Sequence, residues 1–179
     1  MAVTRTVVYE GERYKWDGIR WLTDSYLIVS EVVAARLNEC YAEMIEADDM
    51  AITDIQQLLD RAKMARDAKS LTRAKRLVER VLRANPHHLG AAAVLSSVLR
   101  EQLAPDQALA VADRFPGCRY TPLLTSRAAA LCDLGRWAEA LADIRATFDL
   151  DRREGKGPSV EALNVHTRIR AGAPHLFGA

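Results

Sequence analysis

The hydrophobic pattern changes period near residue 30. Upstream, "VVYEGERYKWDGIRWLTDSYLIV" alternates large apolar or aromatic side chains with polar ones, the period of two that a strand buried on one face requires. Two turn dipeptides, Glu10-Gly11 and Asp17-Gly18, interrupt it seven residues apart. Asp-Gly between β-formers signals a hairpin, because glycine accepts the positive φ of a type I′ turn. Pairing about Glu10-Gly11 sets Val7 opposite Tyr14 and Arg5 opposite Trp16. Pairing about Asp17-Gly18 sets Trp16 opposite Ile19 and Tyr14 opposite Trp21. Val7, Tyr14, Trp16, Ile19 and Trp21 then share one face, and Thr6, Lys15 and Arg20 the other. The pattern predicts a three-stranded antiparallel meander with one aromatic face. So small a sheet is marginal alone, so that face needs a cover.

Downstream the apolar positions recur every three or four residues. Ser30 is a suitable N-cap for a helix over 31–46. Val33, Leu37, Cys40, Tyr41 and Met44 form one stripe along it, the natural cover for the aromatic sheet. "EADDM" is read as the break, and Thr53 with Gln56 as a capping box opening the next helix. Beyond it the pattern predicts short helices over 54–68, 71–84, 89–102, 106–114, 122–133, 137–149 and 159–170. The breaks fall at Asn85-Pro86, Pro105, Phe115-Pro116-Gly117, Gly135 and 155–158. Tight connectors between so many short helices suggest stacked helical hairpins.

Gly135 and Trp137 stand just ahead of Ala140, with Ala128 twelve residues before it. Ala74 follows Ala62 by the same interval, and Ala108 follows Ser96. Two helices that cross closely need a small side chain on each at the crossing, and the tight turn between them favours glycine. On these residues the span 55–154 resembles the tetratricopeptide repeat family, a helix–turn–helix of 34 residues. Its repeats would run 55–88, 89–120 and 121–154, with Pro86 at the terminating proline of the first. The second departs from the pattern: it lacks the glycine, has Pro105 where the aromatic belongs, and its second helix looks short, ending at "RFPG". Trp137 would fill the gap between repeats, and the helix over 159–170 would be the solvating cap such arrays require. The expected organisation is mainly α: a meander plus helix over 1–53, tetratricopeptide-like hairpins with their cap over 54–171, and a tail over 172–179.

The resemblance implies a groove lined by the first helix of each repeat. Its offsets fall on Leu59, Lys63, Arg66, Ala93, Ser97, Arg100, Thr125, Ala129 and Cys132. The family's lysine-and-asparagine clamp for a terminal carboxylate is not reproduced, since Ala93, Ser97 and Ala129 stand where large polar residues would be. Small residues there suit a helix or an extended segment that approaches closely.

Composition narrows the remaining choices. Residues 1–53 hold five basic and ten acidic side chains, and residues 54–86 hold nine basic and four acidic, while the whole chain is only +1. The two blocks can attract each other, or the second can be a local basic surface. Arg73, Arg76, Arg80 and Arg83 recur along one helix opposite Ala74, Leu77, Val78 and Val81. They read as a solvated face, with pairing to the acidic block or phosphate contact as the alternatives. Trp16, Trp21 and Tyr14 read as a small core rather than a stacking platform. Cys40, Cys118 and Cys132, an odd number at wide spacing, suit reduced thiols in the cytoplasm.

No apolar stretch approaches the roughly 20 residues that span a bilayer, and no basic-then-apolar start suggests a signal peptide. His87, His88, His166 and His175 lack metal-site spacing. No phosphate loop, dinucleotide fingerprint or nucleophile elbow is present. The expectation is therefore a non-enzymatic protein with no cofactor and no metal. It would bind a partner protein through the groove or the N-terminal sheet, as an adaptor or a subunit of a larger, bacterial-type assembly. The alternative is a nucleic-acid-associated accessory factor using the basic first repeat.

Overall fold

The computed structural model describes residues 5–9, 12–16, 21–23 and 29–178. The chain divides into two compact units, Met1–Thr53 and Asp54–Ala179.

The first unit is an antiparallel sheet with a helix. Strands β1 (Arg5–Tyr9), β2 (Glu12–Trp16) and β3 (Trp21–Thr23) lie in the order β1-β2-β3. The β1–β2 register is the expected one, Val7 opposite Tyr14 and Arg5 opposite Trp16. The β2–β3 register differs by two: Trp16 faces Trp21, and Tyr14 faces Thr23. A slip of two keeps each side chain on its face, whereas a slip of one would reverse them all. The Glu10-Gly11 and Asp17-Gly18 turns, Ile19 and Arg20 lie outside the described residues, as does the side chain of Trp16.

Val7, Tyr14 and Trp21 are buried with Leu37 of helix α1 (Glu31–Ala51), and Val33, Cys40 and Tyr41 pack around them. Trp21 meets Tyr41 edge to face at a centroid distance of 5.6 Å. Its indole Nε1 donates to Asn38 Oδ1 at 2.7 Å, so the polar end of the largest side chain in this core is satisfied. Helix α1 runs through "EADDM" to Ala51, beyond the expected end at 46. That stretch has neither glycine nor proline, and aspartate costs a helix only a fraction of a kcal/mol, about 0.7 at most. Ser30 caps the start, its side chain accepting from Val33 N.

The second unit is three helical hairpins and a closing helix. The helices are α2 (Ile55–Asp67), α3 (Leu71–Ala84), α4 (Leu89–Glu101), α5 (Pro105–Asp113), α6 (Thr121–Asp133), α7 (Trp137–Arg153) and α8 (Val160–Gly172). A 3₁₀ turn follows at Pro174–Phe177. The N-cap of α2 is Asp54, whose side chain accepts from Gln57 N at 2.7 Å, and not Thr53. Gln56 instead donates to Asp60, at 3.0 Å to Oδ1.

Within the hairpins α2 packs on α3, α4 on α5 and α6 on α7. Between them α4 packs on α3 and α2, α6 on α5 and α4, and α8 on α7 and α6. The small residues at the crossings, Ala62, Ala74, Ser96, Ala108, Ala128 and Ala140, are all wholly buried. They let the helices approach, and the Ser96 hydroxyl has no hydrogen-bond partner there.

The turn inside each hairpin is one geometry used three times. Lys69, Leu103 and Gly135 take positive φ of 60°, 60° and 72°. In each, this residue and the next return hydrogen bonds to the helix end: Lys69 N to Arg66 O and Ser70 N to Ala65 O, then Leu103 to Arg100 and Ala104 to Leu99, then Gly135 to Cys132 and Arg136 to Leu131. This pair of bonds satisfies carbonyls the helix leaves open.

Candidate functional site

Helices α2, α4 and α6, with α8 beside them, line a cleft of about 530 Å³. Seven of the nine groove positions read from the sequence meet in it: Lys63, Arg66, Ala93, Ser97, Arg100, Thr125 and Ala129. Leu59 and Cys132 do not line it. They are 4% and 2% exposed and belong to the core beneath. Burial pushes the Cys132 thiol above its usual range, with Arg168 opposing and Asp133 adding to the effect.

The floor is small and hydroxylic. Gly90, Ala93 and Ser97 come from α4, and Thr125, Ser126 and Ala129 from α6. These positions follow from helical period, since residues three and four apart share a face. Ser126 Oγ donates to Ala93 O at 3.3 Å, which ties the two helices together below the opening. A Cβ on Gly90 would lie 3.2 Å from Cε1 of His88 and 3.5 Å from Cδ2 of Leu59, so this corner admits no larger side chain without movement. His88 caps α4, its Nδ1 accepting from Ala91 N at 3.2 Å.

The charges around the rim are largely paired. Lys63 pairs with Asp60 at 3.3 Å, Arg66 with Asp67 at 2.8 Å, and Arg100 with Asp133 at 2.7 Å. Asp133 also holds Arg168 of α8 at 2.6 Å, and Glu101 takes Lys69 at 2.7 Å. The Lys69–Glu101 and Arg100–Asp133 pairs each tie one repeat to the next. Exposed pairs of this kind contribute little stability individually. They do hold long side chains at the edges of the cleft and leave the alanine, serine and threonine floor open.

The sequence reading missed the α8 wall. Glu161 and Val165 of α8 line the cleft together with its N-cap Ser159. The pattern held a signal: Ala162, Val165 and Ile169 are the buried stripe of α8, and this spacing marks a helix docked on one face. Treating that helix as a solvated cap left its groove edge unread. The Arg73, Arg76, Arg80 and Arg83 stripe lies outside this cleft, on α3 beside the buried face of Ala74, Leu77, Val78 and Val81. None of Arg73, Arg76 and Arg80 is without an interaction partner.

No protein-family model matches the chain, and no curated protein matches it significantly. Solved structures do match. The TPR domain of Sgt2 from Aspergillus fumigatus aligns with a TM-score of 0.60 at 15% identity, over 71% of this chain and 84% of that one. The first TPR domain of human RPAP3 aligns at 0.58 and 16% identity, over 70% and 96%. The Arabidopsis OM64 TPR domain aligns at 0.56 and 17%, over 65% and 94%. At such identities the likeness is one of fold, and the fold is that of the tetratricopeptide repeat. Among the described residues no helix is long and apolar enough to cross a membrane.

Proposed function

We propose that this protein is a non-catalytic interaction module, an adaptor or a subunit of a larger assembly, that holds a segment of a partner protein in the cleft of α2, α4, α6 and α8. The observation that carries this reading is the floor. Ala93, Ser97, Thr125 and Ala129 come from two helices onto one surface, so a partner backbone can approach closely and bury apolar area without displacing large side chains. The lining contains no histidine or cysteine, and its cations are already engaged by carboxylates. A peptide or helix suits such a surface better than a reacting substrate does. A cytoplasmic location accords with three free thiols, Cys40, Cys118 and Cys132.

The test is co-purification from the native cell, wild type against Ala129→Arg. Ala129 lines the floor of the cleft, so the arginine would fill the space a partner segment needs. Capture of one defined chain by the wild type and its loss in a folded Ala129→Arg variant is the expected result. Undiminished capture by the variant would contradict the reading. Salt separates the alternative, an accessory factor on nucleic acid through Arg73, Arg76, Arg80 and Arg83. Four phosphate contacts would lose about two orders of magnitude in affinity between about 50 and 200 mM salt, whereas a partner segment seated on this floor would not.

A further inference from the structure

A second cleft, of about 540 Å³, opens on the other side of α6. It shares no lining residue with the first. Thr125 faces one and Arg127 the other, two positions that are about 200° apart around a helix of 3.6 residues per turn. Its origin is the irregular second repeat. Helix α5 has nine residues, where its counterparts α3 and α7 have 14 and 17. Five residues fewer than α3 is about 7.5 Å of missing helix at 1.5 Å per residue. The chain turns away at Phe115-Pro116-Gly117, and the space left is floored by Leu123, Leu124, Phe115 and Cys118.

Three charged side chains border this floor. Arg127 of α6 donates from Nε to Asp113 Oδ1 of α5 at 2.8 Å, and from Nη1 to both oxygens of Asp143 of α7 at 2.9 Å. Burial pushes the Asp143 carboxyl above the usual carboxylate range, with Arg127 opposing. Burial also works against the Arg127 charge, but Asp113 and Asp143 outweigh it and hold the guanidinium above its ordinary value. Asp143 is thus committed to Arg127. Asp113 is the outer carboxylate, half exposed, and its Oδ2 accepts no hydrogen bond among the described residues. Two carboxylates against one guanidinium leave the cleft one negative charge in excess over a half-apolar lining.

We propose that this cleft is a second docking site, taking a segment of a partner protein that carries a lysine or arginine beside an aliphatic residue. The basic head group pairs with Asp113 at the rim. The aliphatic stem and its neighbour lie on Leu124 and Phe115, since long basic side chains bury their methylenes along apolar surface while the charge stays near water. An acidic segment would meet the excess negative charge, and a wholly apolar one would leave Asp113 unused. The inference does not depend on the groove reading, and either can fail alone.

The probes are acetyl-Leu-Arg-amide and its neutral isostere acetyl-Leu-citrulline-amide, titrated into the full ¹⁵N-labelled chain. The expected result is saturable movement of the amide signals of Cys118, Leu124 and Arg127 by the arginine probe. Its affinity should exceed that of the citrulline probe at least about tenfold, or about 1.4 kcal/mol. Asp113→Asn, at a half-exposed position, should bring the two probes to parity while leaving the fold intact. As a second readout on the unsubstituted chain, the arginine probe should slow alkylation of Cys118. Equal binding of the two probes, movement confined to Ala93, Ser97 and Ala129, or no movement together with self-association of the chain would each overturn the proposal.

Discussion

Leu103 stands where the third repeat has Gly135, and it adopts the same left-handed turn at φ 60°. It is 90% exposed, so no packing compensates for the strain there. The glycine of the third repeat was legible in the sequence because glycine advertises such a turn. Lys69 and Leu103 were not, because the hydrogen bonds back to the helix end impose the conformation whatever the side chain. A left-handed non-glycine residue costs about 1–2 kcal/mol, against about 0.5–1 kcal/mol of extra chain entropy lost by a glycine. Leu103→Gly should therefore stabilise the protein by about 0.5–1 kcal/mol and raise Tm by about 2 °C, read by calorimetry. A fall in Tm would mean that the exposed leucine side chain has a packing role that the geometry does not show.

Cys132 and Cys118 differ in the same residue-by-residue way. Burial raises the Cys132 thiol, whereas Cys118 is only half-buried. The thiolate is the reactive form, so native alkylation near pH 8 should modify Cys118 readily and Cys132 only after unfolding. The sign for stability follows. A thiol raised by folding holds its proton where the unfolded chain has lost it, so its contribution is intact below the ordinary thiol value and declines as pH rises through it. Cys132→Ala should flatten that alkaline decline in denaturant midpoint, and an unchanged decline would assign it to another group.

Among the elements, the helices of the second unit were the most legible because proline, glycine and alanine punctuate them at fixed intervals. The end of α1 was not, because "EADDM" contains nothing that stops a helix. The β2–β3 register was less legible: Asp-Gly suggests Trp16 opposite Ile19, but the observed pairing of Trp16 with Trp21 differs by two and keeps every side chain on its face, so the pattern alone does not choose between them. Trp137 shows how context sets an element's role. It was expected to fill a gap between repeats, and its ring lies over Gly172 at the end of α8. A Cβ built there would sit 2.7 Å from Cη2 of the indole. Trp137 is half-buried, so Trp137→Ala should cost about 2 kcal/mol, roughly half the value of about 3–5 for a fully buried tryptophan. Thermal unfolding unchanged from the parent would show that the ring does not fix α8.

At the scale of the whole molecule, two units of different construction follow each other in one chain. The charge blocks of the sequence, acidic before residue 54 and basic after it, coincide with that division. Of the candidate site, the contributions of α2, α4 and α6 were legible because repeat offsets place them. The α8 wall and the cleft beside α5 were not, because both arise where the repeat ends or is shortened. The partner's place is tested most directly by a photoreactive residue introduced singly at Ser97 in the floor, at Glu79 on α3 and at Val8 on β1, the last two exposed positions outside the cleft. Irradiation of the complex purified from the native cell should cross-link the partner from Ser97 and from neither Glu79 nor Val8. Cross-linking from Val8 or Glu79 with none from Ser97 would contradict the groove as the binding site and move the contact to the sheet or to the basic first repeat.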